Sequence, residues 1–258
     1  MTASDVLVIT SSENPQFKAL RRLAQDNTAY RKTGRIWLEG DHLCRAALAR
    51  GRAVALAVFS SSFWPMAPKE WSGAAAKTLV LDDALWRAFS ALESPAQMGF
   101  VLELPTAPAL APSQASVILD RVQDAGNVGS ILRSASAFGF GQVIALKGTA
   151  ALWSPKVLRA GMGAHFGLSL IEGATLADLE GLELPLVVTS SHQGEYLHRA
   201  VLPMPCAWAL GHEGQGVCAE LSQRATHAIR IAQPGGEESL NVAAAAAICL
   251  HACACLAS

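Results

Sequence analysis

Apolar and polar residues alternate along this chain in two rhythms. From 15 to about 30, Phe17, Leu20 and Leu23 share one face at helical spacing. Asn14 stands where a helix cap is expected and Pro15 fits the first helical position, so the pattern predicts a helix. Its other face carries Lys18, Arg21 and Arg22, with Arg31, Lys32 and Arg35 just beyond. Short β-rich runs follow at 35–39, 54–59, 78–81 and 99–104, separated by helical stretches at 42–49 and 82–91. Alternation of this kind predicts an α/β layer structure.

The stretch 104–116, LPTAPALAPSQAS, has three prolines and no periodicity, which predicts a linker rather than a packed element. The expected organisation is a smaller α/β domain at 1–104, a linker at 105–115 and a second domain at 116–258. In the second domain, apolar strands are predicted at 116–120, 142–146, 186–190, 206–210 and 228–231, with helices at 128–138 and 239–255. Strands that are apolar throughout, each followed by a glycine-rich turn, point to a parallel sheet covered on both faces.

Composition fits a folded enzyme-sized chain. Of 258 residues, 51% are hydrophobic and 16% charged, far too apolar for disorder. Met1 to Thr10 lacks the basic start and long apolar run of a secretory leader, so a cytoplasmic protein is expected. The Ala-rich run 242–258 is shorter than a bilayer span and carries His251, which predicts a buried terminal helix and no membrane partner. The six cysteines include no C-x-x-C pair. Of Cys249, His251, Cys253 and Cys255, only Cys249 and Cys253 share a helical face, so reduced thiols and no metal are expected. Net charge is -1, an unpromising value for a nucleic-acid partner. The distribution alters the picture, because residues 1–60 hold nine Lys or Arg against five Asp or Glu, and the rest holds eleven against sixteen.

Three segments lie just past the carboxyl ends of predicted strands, where open α/β sheets place ligands. The first, LDRVQDAGNVGSILRSASAFGF (119–140), runs from strand through loop into a helix. Asn127 there fits an N-cap, and Arg133 lies about one and a half turns further on, readable alone as a surface arginine. In the second, WALGHEGQGV (208–217), Gly211, Gly214 and Gly216 surround Glu213, readable alone as an exposed acid. The third, IRIAQPGGEESLNVAAAAAICL (229–250), places Ser239 at the head of a long helix, where capping accounts for it equally well. Walker, G-x-G-x-x-G, G-x-S-x-G and H-E-x-x-H patterns are all missing from the sequence, which disfavours phosphoryl transfer, classical dinucleotide binding and common hydrolysis.

Taken together, the three segments resemble the signature motifs of the SpoU (TrmH-like) branch of the knotted RNA methyltransferases. Asp120, Asp124, Asn127, Gly129 and Arg133 match D-x-x-x-D-P-x-N-x-G-x-x-x-R, with Ala125 at the usual proline. Leu210, Gly211, Glu213, Gly214 and Gly216 match L-G-x-E-G-x-G, and Ile231, Gly235, Glu238, Ser239, Leu240 and Asn241 match I-P-x-x-G-x-x-E-S-L-N. The departures are His212, where the family often has Asn, and Ala232-Gln233, where Pro-Met is frequent. Asn14-Pro15, Lys18, Leu20, Leu38-Glu39-Gly40, Ser94-Pro95 and Gly99 resemble the substrate-binding domain that precedes the catalytic domain in many members.

The resemblance implies a deep trefoil knot, a homodimer whose active site draws on both subunits, and S-adenosylmethionine bound largely by backbone at Leu210, Gly211, Ile231 and Leu240 with Thr189 nearby. It further implies Arg133 as the principal catalytic residue, aided by Asn127, Asn241, Ser239 and Glu213, the last anchoring Arg133 or a backbone amide. The expected reaction is methylation of a ribose 2′-hydroxyl in structured RNA, ribosomal RNA in preference to transfer RNA, with no DNA partner. Alternatives are a base methyltransferase and a non-catalytic RNA-binding module on the same fold.

Overall fold

A computed structural model describes residues 5–90, 92, 94–190, 193–235 and 239–257. The chain runs β1 (Asp5–Ile9), α1 (Pro15–Gln25), α2 (Ala29–Thr33), β2 (Arg35–Glu39), α3 (Asp41–Ala49), β3 (Leu56–Ser60), α4 (Lys69–Ser72), β4 (Lys77–Leu81), α5 (Asp83–Phe89) and β5 (Met98–Glu103). It continues through β6 (Ser116–Asp120), α6 (Ala125–Ala137), β7 (Gln142–Leu146), α7 (Pro155–Gly161), β8 (Ser169–Ala174), β9 (Leu186–Thr189), β10 (Glu195–Tyr196), β11 (Ala207–Gly211), α8 (Ala219–Arg224), β12 (His227–Arg230) and α9 (Val242–Ala257). Two compact units result, one of residues 1–106 with 153–166, the other of 107–152 with 167–258.

The first unit is built on a mixed five-stranded sheet of order β1-β4-β3-β5-β2. Its first three strands are parallel, and β5 pairs antiparallel with both β3 and β2. Phe17, Leu20 and Leu23 of α1 are buried, and Asn14 caps the helix through Oδ1, as the helical spacing predicts. The helix is shorter than predicted. Asp26 Oδ1 accepts from the Thr28 N–H at 2.8 Å and its hydroxyl at 2.9 Å, a local turn that competes with the helical ladder. The segment 153–166, expected within the second domain, clusters with this first unit. Its α7 begins on Ser154, whose Oγ accepts from Val157 N, followed by Pro155 at the first helical position.

In the second unit seven strands form one sheet, order β10-β12-β9-β11-β6-β7-β8, with every pairing parallel. All residues of β6, β7 and β11 are buried, which is why these strands read as continuous apolar runs rather than alternating ones. Helix α9 packs on β11, where Trp208 Nε1 donates to Cys253 Sγ at 3.2 Å. The expected terminal helix is buried along one face: Ala246, Cys249, Leu250 and Cys253 face inward, while Ile248 and Leu256 are exposed. Among the described residues no helix is long and apolar enough to cross a membrane.

Candidate active site

The carboxyl ends of β6, β9, β11 and β12 lie side by side in the second sheet, so the three sequence segments converge. Helix α6 starts earlier than predicted. Its cap is Asp124, whose Oδ1 accepts from Asn127 N at 2.8 Å, and Asn127 sits inside the first turn. Capping is therefore done three residues upstream, which leaves the Asn127 carboxamide available for other partners.

Two of those partners join all three segments. Asn127 Nδ2 donates to Glu213 Oε1 at 3.1 Å, and Asn127 Oδ1 accepts from Asn241 Nδ2 at 2.9 Å. Asn241 in turn caps α9, its Oδ1 accepting from Ala243 N at 2.9 Å and Ala244 N at 3.2 Å. Glu213 completes the relay by accepting from Asp124 N at 3.1 Å and Gln123 N at 3.2 Å. Burial opposes ionisation of Glu213, but the Asn127 amide and the backbone N–H groups outweigh it and hold its carboxyl below the usual carboxylate range. Of the two anchoring roles expected for Glu213, the backbone amide is the one the structure displays; Arg133 makes no hydrogen bond or ion pair with it.

The turn bearing Glu213 is closed by backbone. His212 N donates to Gly216 O at 3.0 Å, and Gly216 N donates to His212 O at 2.8 Å. A side chain at Gly211 has no room, since a Cβ there would lie 2.0 Å from the Gly216 carbonyl carbon and 2.1 Å from Val217 N. The turn therefore folds flat against the end of β11 only because residue 211 is glycine. Inside it, His212 Nδ1 accepts from Gly214 N at 3.0 Å and Gln215 N at 3.3 Å. A short polar side chain taking the amides two and three residues on is how Asn stabilises such turns, so the imidazole reproduces the part that the family's frequent Asn would play.

An Asp120–Arg121 pair, absent from the predicted site, holds the other side of this turn. Asp120 is buried at the end of β6, bonded to Arg121 Nε at 2.9 Å and to Cys218 N at 2.6 Å. Arg121 reaches on to Gln215 Oε1 at 3.0 Å and adopts φ +59°, an uncommon conformation for a non-glycine residue. Burial raises the Asp120 carboxyl, yet the Arg121 guanidinium and the Cys218 N–H prevail and leave it below its ordinary value. Asp120 was visible as the first residue of its motif; the positive-φ arginine beside it gives no signal in sequence.

The remaining predicted residues are placed less tightly. Arg133 is exposed on α6, about 120° around the helix axis from Asn127 at 100° per residue, and pairs with no described protein group. Ser239 is exposed and is not a helix cap, because α9 starts at Val242 and Asn241 supplies the cap; the sequence pattern fits both, and the first helical turn decides. Glu238 of the third motif lies outside the described residues. Thr189 ends β9, Leu210 and Gly211 end β11, and Ile231 follows β12, three neighbouring parallel strands. Leu240 is 39% exposed just before α9. No group of three metal-ligating side chains occurs among the described residues.

S-adenosylmethionine fits these residues. Strand-end backbone at Leu210, Gly211 and Ile231 offers donors and acceptors, and Gly211 keeps β-carbon bulk away from the turn. Gln233 Oε1 is buried without a partner among the described residues, an acceptor suited to a ligand N–H group.

A parallel α/β sheet whose strand-end loops carry the three motifs and are tied together in this way is the arrangement expected of an RNA methylase of the SpoU type. The chain belongs to the SpoU rRNA Methylase family, whose model matches residues 114–251. It is 30% identical to an uncharacterised tRNA/rRNA methyltransferase of Synechocystis sp., over 96% of this chain and 93% of that protein. It is 28% identical to the 23S rRNA guanosine 2′-O-methyltransferase RlmP of Bacillus subtilis, over 94% of this chain and 97% of that one. Among solved structures, the AdoMet-bound rRNA methyltransferase from Sinorhizobium meliloti superposes with a TM-score of 0.82 at 26% identity, covering 96% of this chain and 97% of that one.

Proposed function

We propose that this protein methylates a ribose 2′-hydroxyl of ribosomal RNA, with Arg133 as its principal catalytic residue. The observation that carries the reading is the Glu213–Asn127–Asn241 relay, which links residues of all three motifs at the carboxyl end of the sheet. S-adenosylmethionine, when bound, supplies the methyl group as an electrophile on sulfonium. Backbone at Leu210, Gly211, Ile231 and Leu240, with Thr189 beside them, holds the cofactor, while Asn127 and Asn241 fix the loops that orient the RNA. Ser239, free of any capping duty, hydrogen-bonds the ribose in this reading.

A guanidinium keeps its proton in proteins, so Arg133 serves as a fixed cation that stabilises the developing alkoxide and a neighbouring phosphate rather than as a base. Its exposure and lack of a partner among the described residues suit a group that works on RNA or completes a partner's site. The second unit is the dimerisation domain in this reading: α9 presents Ile248 at 41% and Leu256 at 62% exposure, apolar surface suited to burial against another copy. The C-terminal segments thread through the trefoil knot of the family, and the enzyme works in the cytoplasm. In the first unit, α1 contacts phosphates. Its Lys18 and Arg22 already pair with Glu13 at 2.6 Å and Asp26 at 3.8 Å, and such exposed pairs exchange for phosphate at little cost.

The test is transfer of label from methyl-tritiated S-adenosylmethionine to separated ribosomal and transfer RNA from a strain lacking the protein. Label in ribosomal RNA alone supports the proposal, and label confined to transfer RNA refutes the choice of substrate.

A further inference from the structure

The His212 side chain braces the L-G-x-E-G-x-G turn by bonding the turn's own backbone, through an atom that can be switched off by a proton. Nδ1 accepts the Gly214 and Gln215 N–H groups at 3.0 and 3.3 Å. An imidazole nitrogen accepts only while it carries no hydrogen, so this geometry requires the neutral ring with its proton on Nε2. Protonation converts the acceptor into a donor facing two donors, and the turn loses its internal brace.

We propose that His212 is a positioning residue that makes the cofactor turn competent only in its neutral form, so that affinity for S-adenosylmethionine falls on acidification where an asparagine at this position would leave it unchanged. The inference rests on the functional reading above for the ligand, and on the two N–H···Nδ1 bonds for the device.

Among the described residues, the other charged and titratable groups around this turn include Glu213 within it, Asp120, Arg121 and Asp124 from the loop after β6, and Cys218 and Glu220 on the segment that leads into α8. Glu213 and Asp120 are held below their ordinary values, and burial raises the Cys218 thiol. Arg121, bonded to Asp120, is shifted upward. All four shifts lead away from neutral pH. Gln215, the second amide His212 holds, is also the residue Arg121 grips at 3.0 Å, so loss of the brace is passed to the Asp120–Arg121 pair.

The experiment compares wild type, His212→Asn and His212→Ala from pH 5.5 to 8. Two readouts are taken: the dissociation constant for S-adenosylmethionine by calorimetry, and the Gly214 and Gln215 amide resonances of the ligand-free protein by NMR. Wild type is expected to lose affinity roughly tenfold between the two ends of that pH range, with both amides shifting along the same curve. His212→Asn should hold its affinity and show flat amide resonances, and His212→Ala should bind more weakly at every pH. Titration of the cofactor itself is common to all three proteins and cancels. The inference is overturned if His212→Asn titrates as wild type does, or if the wild-type amides do not move. Absence of cofactor binding by wild type would refute the functional reading instead, while the amide shifts would still decide the device. If His212→Ala does not fold, the comparison with His212→Asn remains decisive.

Discussion

Replacing Gly211 by alanine inserts one methyl group where the structure has none to spare. The new Cβ would lie 2.0 Å from the Gly216 carbonyl carbon, 2.1 Å from Val217 N and 2.3 Å from Gly216 O, all backbone atoms that no rotamer change can move aside. Restoring ordinary contact at about 3.4 Å requires the far strand of the turn to retreat by about 1.4 Å, carrying the His212–Gly216 bridge with it. Overpacking of this kind costs about 1–3 kcal/mol, and each 1.4 kcal/mol is roughly tenfold in affinity. The expected result is a fall in melting temperature together with a rise of about 10- to 100-fold in the dissociation constant for S-adenosylmethionine, measured by calorimetry. Gly214→Ala is the control, since its Cβ would meet only the His212 ring at 3.8 Å, an ordinary contact. A Gly211→Ala protein that melts and binds as wild type does, or a Gly214→Ala protein that is damaged equally, would refute the reasoning.

Further predictions follow from the same geometry. Asn127→Ala removes a side chain that touches both Glu213 and Asn241, and should lower kcat about 100-fold while moving the melting temperature little, because the relay is exposed. Glu213 and Asp120 have depressed folded pKa values, so their contribution to stability is present at neutral pH and lost as pH drops through those values; Glu213→Gln should flatten the acid limb of melting temperature against pH. Gln233→Met removes a buried acceptor without a partner, which should raise the melting temperature of the ligand-free protein and weaken cofactor binding several-fold. Joint replacement of Lys18, Arg21 and Arg22 by alanine should weaken RNA binding and flatten its salt dependence, read by filter binding at two ionic strengths.

Much of the architecture could be read from the chain because local chemistry and tertiary structure agree there. Strands β6, β7 and β11 are apolar at nearly every position, and burial on both faces demands that. The elements that escaped notice are those whose signals are mixed. Strand β1 leaves Val6, Leu7 and Val8 at 40, 42 and 61% exposure, and β8 contains Glu172 and a positive-φ Gly173 that break its pattern. Helix α7 did announce itself, through Ser154 and Pro155, but seven residues are too few for periodicity to register. At the site, motif spacing placed Asn127, Glu213 and Asn241 on converging loops. Their partners could not be read, because two Asx residues three apart, Asp124 and Asn127, both suit the cap of α6, and only the path of the Glu213 turn decides which is free to reach across.

The most direct test of the central claim is the chemical position of the methyl group. Ribosomal RNA labelled by the protein from methyl-tritiated S-adenosylmethionine would be hydrolysed with alkali, which cleaves next to a free 2′-hydroxyl but not next to a methylated one. The account predicts tritium in alkali-resistant dinucleotides, and its loss when Arg133 is replaced by alanine without change in cofactor affinity. Tritium recovered instead in mononucleotides carrying a methylated base, or label that persists in the Arg133→Ala protein, would contradict it.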